Sequence, residues 1–217
     1  MSSIILYYSP ISPPSRFVAA TAKLIKLNLN IKVINLVKQE HKQSEYLKIN
    51  PQHTVPTLDD NGFILQESRA IATYLVDKYS KDDALYPKDI KKRALVNQRL
   101  YFDATIFSVA MRNIYKPILN DGVKTISERC IADMNDSLNI LNRFLSESKY
   151  ICGENLTLAD LSLVPAVSTI QEMEFSLTPF ENVKKWLEQC SQQIPDYSEN
   201  VKGAKSFAKI LKTLQSK

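Results

Sequence analysis

The sequence predicts a small α/β domain followed by an all-α domain. In the first 80 residues, short apolar runs typical of strands alternate with segments of helical periodicity. Strand-like runs then disappear after a polar, proline-containing segment at residues 81–88. A chain of 217 residues has the length of two small domains, and its 44% hydrophobic content excludes a disordered chain. We therefore predict domains at 1–80 and 89–217, joined by a linker at 81–88.

The first domain has the predicted order β-α-β-α-β-β-α. The apolar run from Ile4 to Tyr8 predicts a buried strand, and the pair Pro13-Pro14 is typical of the first turn of a helix. Gly62, preceded by two polar residues, indicates a hairpin turn. The predicted strands cover residues 4–8, 31–36, 55–58 and 63–65, and the predicted helices run from 13 towards 28, from after 42 to near 50, and from 67 to 79.

The second domain contains helical patterns only. No proline interrupts residues 89–116, which predicts one long helix that Pro117 kinks or ends. Thr157 and Asp160 form a capping box that opens a later helix. The other predicted helices cover 126–144, begin at Pro179, and run from Gly203 to Leu214.

Composition excludes several classes of partner and compartment. The formal net charge of +5 is spread over both halves, unlike the basic stripe of a nucleic-acid-binding protein. Three widely spaced cysteines predict no disulfide framework and no zinc site, and they favour a reducing compartment. No apolar run is long enough for a membrane helix, and no signal peptide is evident. We expect a cytoplasmic protein that binds neither nucleic acid nor membrane.

Polar residues at two predicted helix N-termini are candidates for chemistry. Ser12 lies in an S-x-x-S turn where thioredoxin-like folds carry C-x-x-C, so disulfide exchange is excluded, but the hydroxyl can donate to an external thiolate. The alternative is a plain helix cap. Glu67 and Ser68 open the third helix, where free N–H groups suit a carboxylate and Glu67 suits an ammonium group. The alternative is that Glu67 only favours the helix dipole.

Two further groups of residues are less specific. The only histidines, His41 and His53, lack the additional ligands that a metal site needs, so they are candidate hydrogen-bond donors to a ligand, general bases or simple surface residues. In the long helix, Phe107, Met111 and Tyr115 share one face. Periodicity alone makes this stripe ordinary core.

In combination, these motifs resemble a cytosolic glutathione transferase along the whole chain. The Ser-Pro-Pro turn and the segment 197–207 favour the insect epsilon class, whereas the Glu67-Ser-Arg triplet fits delta equally well. The motifs most similar to the insect delta and epsilon classes are Asn50-Pro-Gln-His-Thr-Val-Pro-Thr57, Glu67-Ser-Arg-Ala-Ile71, Leu85-Tyr-Pro87, Asn97-Gln-Arg-Leu-Tyr-Phe-Asp103 and Leu156-Thr-Leu-Ala-Asp160.

The resemblance implies a thioredoxin-like first domain that binds reduced glutathione and a helical domain that binds a small hydrophobic electrophile. It implies that the Ser12 hydroxyl holds the thiolate and that a cis Pro56 follows Val55. The implied reaction is a detoxification that uses no metal ion. The implied glutathione-binding residues are His41, His53, Thr54, Val55, Pro56, Glu67, Ser68, Arg69 and Arg112. The implied acceptor-binding residues are Leu36, Phe107, Met111, Tyr115, Leu119 and Phe207.

The resemblance also implies a homodimer formed through the long helix. Leu95, Leu100 and Ala104 give this helix more apolar positions than one small domain is expected to cover. Two non-enzymatic classes stay open at this point: a carrier that binds glutathione or apolar ligands without turnover, and a structural module attached to other machinery.

Overall fold

The computed structural model describes residues 4–216 and contains the predicted α/β and all-α domains. The elements of the first domain follow the predicted order: β1 (Ile4–Tyr8), α1 (Pro13–Leu24), β2 (Asn30–Val33), a 3₁₀ turn (Glu40–Lys42), α2 (Ser44–Leu47), β3 (Thr57–Asp60), β4 (Phe63–Leu65) and α3 (Ser68–Tyr79). Its sheet has the strand order β2-β1-β3-β4, with β1 and β2 parallel and the other pairs antiparallel.

The middle strands differ from their predicted bounds. The second strand ends at Val33, and Leu36 beyond it packs against the cluster of Tyr7, Tyr46 and Val55. The third strand begins at Thr57, after Pro56, which has no N–H to give to a strand pair. Leu6, Leu58 and Ile71 are fully buried and join the sheet to the helices that cover it.

The second domain is built from helices. They are α4 (Ile90–Phe102), α5 (Ser108–Asp121), α6 (Glu128–Phe144), α7 (Leu158–Glu172), α8 (Glu181–Gln193) and α9 (Tyr197–Gln215). The capping box of Thr157 and Asp160 is confirmed at the start of α7. The Asp160 carboxylate also accepts from the N–H of Ile151 and from the Trp186 indole, both at 2.9 Å. None of the helices in 4–216 is both long and apolar enough to cross a membrane.

The long helix is continuous but changes its winding. Residues Asp103–Phe107 form a π-helical turn between α4 and α5, which the uninterrupted helical pattern does not predict. Pro117 does not end α5, which continues to Asp121 and stops at Gly122 in the left-handed conformation, with a φ of 67°. Because Pro117 has no N–H, the Asn113 carbonyl lacks its usual partner in the helix; the Cys130 thiol donates to it at 3.6 Å.

Two expectations from the sequence are wrong. The last helix begins at Tyr197 and not at Gly203, which lies buried inside it. Leu100, expected on an exposed apolar face, is only 5% exposed because it packs into the core. Its neighbour Tyr101 is exposed instead, at 69%, as is Ile106 at 44%.

Candidate active site

Ser12 caps the N-terminus of α1 and faces a second loop. Its Oγ accepts from the Ser15 N–H at 3.4 Å and donates to the Val55 carbonyl at 3.5 Å. The residue is 8% exposed, and its own N–H donates to the Ser9 carbonyl at 3.0 Å. The hydroxyl therefore lies between the positive end of a helix dipole and the backbone of the 54–56 loop. The cap interpretation is confirmed, and it leaves the donor proton in a long, weak hydrogen bond.

The loop opposite Ser12 is held by buried side chains. The peptide bond between Val55 and Pro56 is cis, as expected. The Thr54 carbonyl accepts from the Tyr46 hydroxyl at 2.6 Å and from the Asn50 amide at 3.0 Å. These contacts fix the backbone around Val55, while Thr54 itself is exposed.

The two histidines lie near each other at the open side of this loop. Their ring centroids are 6.4 Å apart. His41 is half-buried, and its Nδ1 is buried without a hydrogen-bond partner among the described residues. Burial, followed by the charges of Lys42 and His53, lowers the pKa of His41, so it is neutral at neutral pH. His53 is exposed and has a φ of 48°.

The start of α3 carries an exposed carboxylate and a buried hydroxyl. Glu67 precedes the helix with a φ of 68°, a conformation that costs a non-glycine residue about 1–3 kcal/mol and persists only where the surroundings impose it. Its side chain makes no capping hydrogen bond. Ser68, the first residue of α3, is 3% exposed. Free N–H groups, a hydroxyl and a carboxylate are thus presented together, as the sequence predicts.

Arg69 reaches the helical domain instead of an open cleft. Its Nε donates to the Asp103 carboxylate at 3.1 Å, and its Nη2 donates to the same carboxylate and to the Ser108 hydroxyl, the latter at 3.0 Å. The Asp103 side chain is 1% exposed and lies in the π-helical turn. Sequence reasoning missed this carboxylate, although an acidic residue within a largely buried helix face is a detectable signal.

One part of the apolar stripe on the long helix lies in the hydrophobic core, and another part reaches the surface. Phe107 is completely buried and Met111 is 3% exposed, both within the main hydrophobic core. Tyr115 is half-buried and packs edge-on against Phe207 of α9, with ring centroids 5.3 Å apart and an interplanar angle of 86°. Burial raises the pKa of Tyr115, so its hydroxyl stays protonated. Helix α5 and the final helix therefore meet through two aromatic rings.

The remaining candidate residues lie at the edges of this region. Leu36 is half-buried and packs against the cluster of Tyr7, Tyr46 and Val55. Leu119 lies beyond Pro117 and is 39% exposed, and Arg112 is exposed on α5. Within the described part of the chain, no three His, Cys, Asp or Glu side chains are arranged to hold a metal ion.

Family models match both domains. The model of the glutathione S-transferase N-terminal domain matches residues 6–83, and that of the C-terminal domain matches residues 102–193. The chain belongs to the glutathione S-transferase family. Glutathione S-transferase D7 of Drosophila melanogaster is 40% identical over 217 residues, which cover 100% of this chain and 96% of that protein.

Solved glutathione transferase structures share this fold. A delta-class glutathione transferase of Nilaparvata lugens is 46% identical with a TM-score of 0.92, over 97% of this chain and 99% of that one. An epsilon-class glutathione S-transferase of the housefly, Musca domestica, is 40% identical with a TM-score of 0.92, over 98% of each chain. The insect delta/epsilon resemblance is thus confirmed, and these identities do not favour epsilon over delta.

Proposed function

We propose that this glutathione S-transferase joins the thiol of reduced glutathione to small hydrophobic electrophiles, with the Ser12 hydroxyl stabilising the thiolate. The observation that carries the proposal is the position of Ser12 Oγ. It is buried at the N-terminus of α1, and it donates only a 3.5 Å hydrogen bond to the Val55 carbonyl. A thiolate bound next to Ser12 would accept that proton instead, since a charged acceptor makes the stronger hydrogen bond.

The polar groups around Ser12 suit the rest of the tripeptide. Glu67 and Ser68 would hold the γ-glutamyl ammonium and carboxylate, because the start of α3 offers both a carboxylate and free donors. Backbone at Val55 would pair with the cysteinyl unit, and Thr54 and Pro56 would complete that loop. His41 and His53 would meet the glycine end, where the unpaired Nδ1 of His41 gives a free polar atom.

The two arginines Arg69 and Arg112 would have different roles in glutathione binding. Arg69 would act through Asp103 by fixing the start of α3 against the helical domain, because two of its nitrogens are occupied by Asp103 and Ser108. Arg112 is exposed on α5 and would reach towards a glutathione carboxylate.

The acceptor would lie against the aromatic contact between α5 and α9. Tyr115 and Phe207 would form its wall, Met111 the floor, and Leu36 and Leu119 the edges, whereas Phe107, which is completely buried, would support the floor from the core. No carboxylate lies in the stripe itself, so the surface suits an apolar electrophile. In the reaction, the sulfur forms a bond to the electrophilic carbon and the leaving group departs with the electron pair of its bond.

Thiolate stabilisation by itself accounts for a small part of the rate. A free thiol of pKa about 8.5 is about 3% ionised at pH 7, and lowering its pKa by about 2 units makes most of it thiolate. Nucleophilicity falls with the pKa, and at saturating glutathione the net gain is about threefold. Most of the acceleration would come from holding thiolate and acceptor together, so that acceptor specificity depends on the helical domain.

We also propose that the chain is a cytoplasmic homodimer. All three cysteines are free thiols, which fits a reducing compartment. Tyr101 and Ile106 on the long helix, and Phe63 on β4 at 50% exposure, are exposed apolar side chains that a second copy would cover. Light scattering at micromolar concentration should give twice the 24.7 kDa chain mass, and a mass of one chain would contradict the dimer.

A conjugation assay tests the catalytic proposal. With reduced glutathione and a chromogenic aryl halide, the purified protein should form the thioether far faster than the protein-free mixture. S-methylglutathione, which lacks the thiol, should compete with glutathione and should not react. Binding of glutathione without turnover of any aryl halide would favour the carrier class instead.

A further inference from the structure

A glycine in the last helix touches the loop that carries Ser12. Gly203 lies inside α9 and is buried. A Cβ at this position would lie 2.2 Å from the Pro10 carbonyl oxygen and 2.7 Å from Cδ of Arg16. The first distance is far below any real Cβ contact, and a backbone oxygen cannot rotate away as a flexible side chain does. Only glycine therefore allows α9 to lie this close to Pro10.

A buried arginine, Arg16, stabilises the same junction, which is the contact between the start of α1 and helix α9. Arg16 of α1 donates to the Asn200 carbonyl at 2.7 Å and to the Thr169 hydroxyl at 2.5 Å. It is 4% exposed and pairs with no carboxylate among the described residues, and burial lowers its pKa to about 10. The backbone N–H of Arg16 donates to the Ser12 carbonyl at 3.1 Å. The first turn of α1 is thus tied to α7 and α9 of the other domain.

This junction connects the two sides of the proposed site. Pro10 is two residues before Ser12 in the chain. Phe207 is one helical turn after Gly203, so the two lie on the same face of α9. A shift of α9 away from Pro10 would therefore carry the Phe207 ring with it and alter its contact with Tyr115 of α5.

We propose that Gly203 is a positioning residue that sets the gap between the Ser12 hydroxyl and the acceptor wall formed by Phe207 and Tyr115, and thereby the size of acceptor that reacts best. The proposal rests on the proposed function, because it treats these residues as two sides of one site. Helix propensity does not explain a glycine here, since alanine is the better residue in a helix interior. The close approach to Pro10 does explain it.

Gly203→Ala tests the proposal. The added methyl group should push α9 outwards, so a small aryl halide should lose more kcat/KM than a bulky one. We expect their ratio to change by roughly 3–10-fold, because misplacement of reacting groups by about 1 Å costs up to about 100-fold in rate. The KM for glutathione should stay within about twofold, since all the proposed glutathione contacts except that of Arg112 lie in the first domain.

The exposed residue Ser206 of α9 supplies the matched control. Ser206→Ala should leave the acceptor ratio and the melting temperature unchanged. A lower melting temperature for Gly203→Ala with an unchanged acceptor ratio would overturn the proposal, because it would show a structural role only. Inactivity of the wild-type protein would be a failure of the proposed function, whereas an active wild type with an unchanged ratio in the variant is a failure of this inference.

If Gly203→Ala does not fold, a second variant tests the same positioning role. Thr169→Val removes one acceptor of Arg16 and keeps the side-chain volume, so it loosens the same junction without inserting an atom. A shift of the acceptor ratio in the same direction supports the positioning role. An unchanged ratio in folded Thr169→Val overturns it.

Discussion

The two sides of the proposed site are constructed differently. The glutathione side comes mainly from three short stretches of the first domain and depends on how the backbone places them: a helix cap at Ser12, the loop at Val55, and the start of α3 at Glu67. The acceptor side comes from helices far apart in sequence and depends on side-chain packing, as where Tyr115 meets Phe207. Backbone polar groups tolerate changes in neighbouring side chains, whereas a packed wall changes shape with each substitution. We infer that the first side fixes one ligand and the second can vary its acceptor.

The ion pair between the domains gives the largest expected effect. Asp103→Ala leaves Arg69 without its carboxylate partner, and breaking a buried pair costs about 3–5 kcal/mol. We expect a loss of this size in the free energy of unfolding from denaturant titration. Asp77→Ala is the control, because the surface pair of Asp77 with Arg93 is worth about 0–1 kcal/mol. Equal losses for the two variants would show that Asp103 does not secure the junction.

Met111 tests where the core ends and the acceptor wall begins. Met111→Ala should lower the free energy of unfolding by about 2–5 kcal/mol, because the side chain is 3% exposed. It should also change the ranking of two acceptors of different size, because the cavity opens one turn from Tyr115. Leu138→Ala, fully buried in α6, is the control and should lose stability without any change in ranking. The same ranking in both variants would place Met111 in the core alone.

Substitution of Ser12 tests the glutathione side of the proposed site. Ser12→Ala should raise the pKa of the bound glutathione thiol, so that about 25-fold less thiolate is present at pH 7 if the hydroxyl lowers that pKa by about 2 units. Loss of the helix cap should cost about 1 kcal/mol of stability. Ultraviolet titration of the bound thiolate measures the pKa. Ser12→Thr keeps a hydroxyl and should stay near the wild type, and an unchanged pKa in Ser12→Ala would remove Ser12 from the mechanism.

His41 gives the smallest expected effect. Its pKa is lowered in the folded protein, so below about pH 6.5 the unfolded chain binds more protons than the native one. Stability should therefore fall as the pH drops through this range, and His41→Asn should flatten the decline measured by thermal melting at several pH values. Lys42→Met is the companion variant: by removing a nearby positive charge it should reduce the decline without abolishing it. An identical pH dependence in wild type and His41→Asn would contradict the assignment.

The sequence allowed prediction of those features that depend on local rules. The strand Ile4–Tyr8, the cap at Ser12 and the capping box at Thr157 follow from residue preferences within one turn, and the structure confirms each. The π-helical turn at Asp103–Phe107 was not predictable in this way, because no local pattern indicates it, and the pairing of its Asp103 with Arg69 crosses the domain boundary.

Gly203 is a second example of a feature that local sequence rules do not predict. By itself the sequence determined the order of elements, the two-domain division and the polar groups at two helix starts, because hydrophobic periodicity and capping act between near neighbours. The periodicity of the apolar residues placed the start of the last helix at Gly203. Only the tertiary structure decided that this glycine lies inside α9, where the Pro10 carbonyl leaves no space for a side chain. The burial of Leu100 and the contact of Tyr115 with Phe207 were decided in the same way, because close packing joins residues that no local pattern relates.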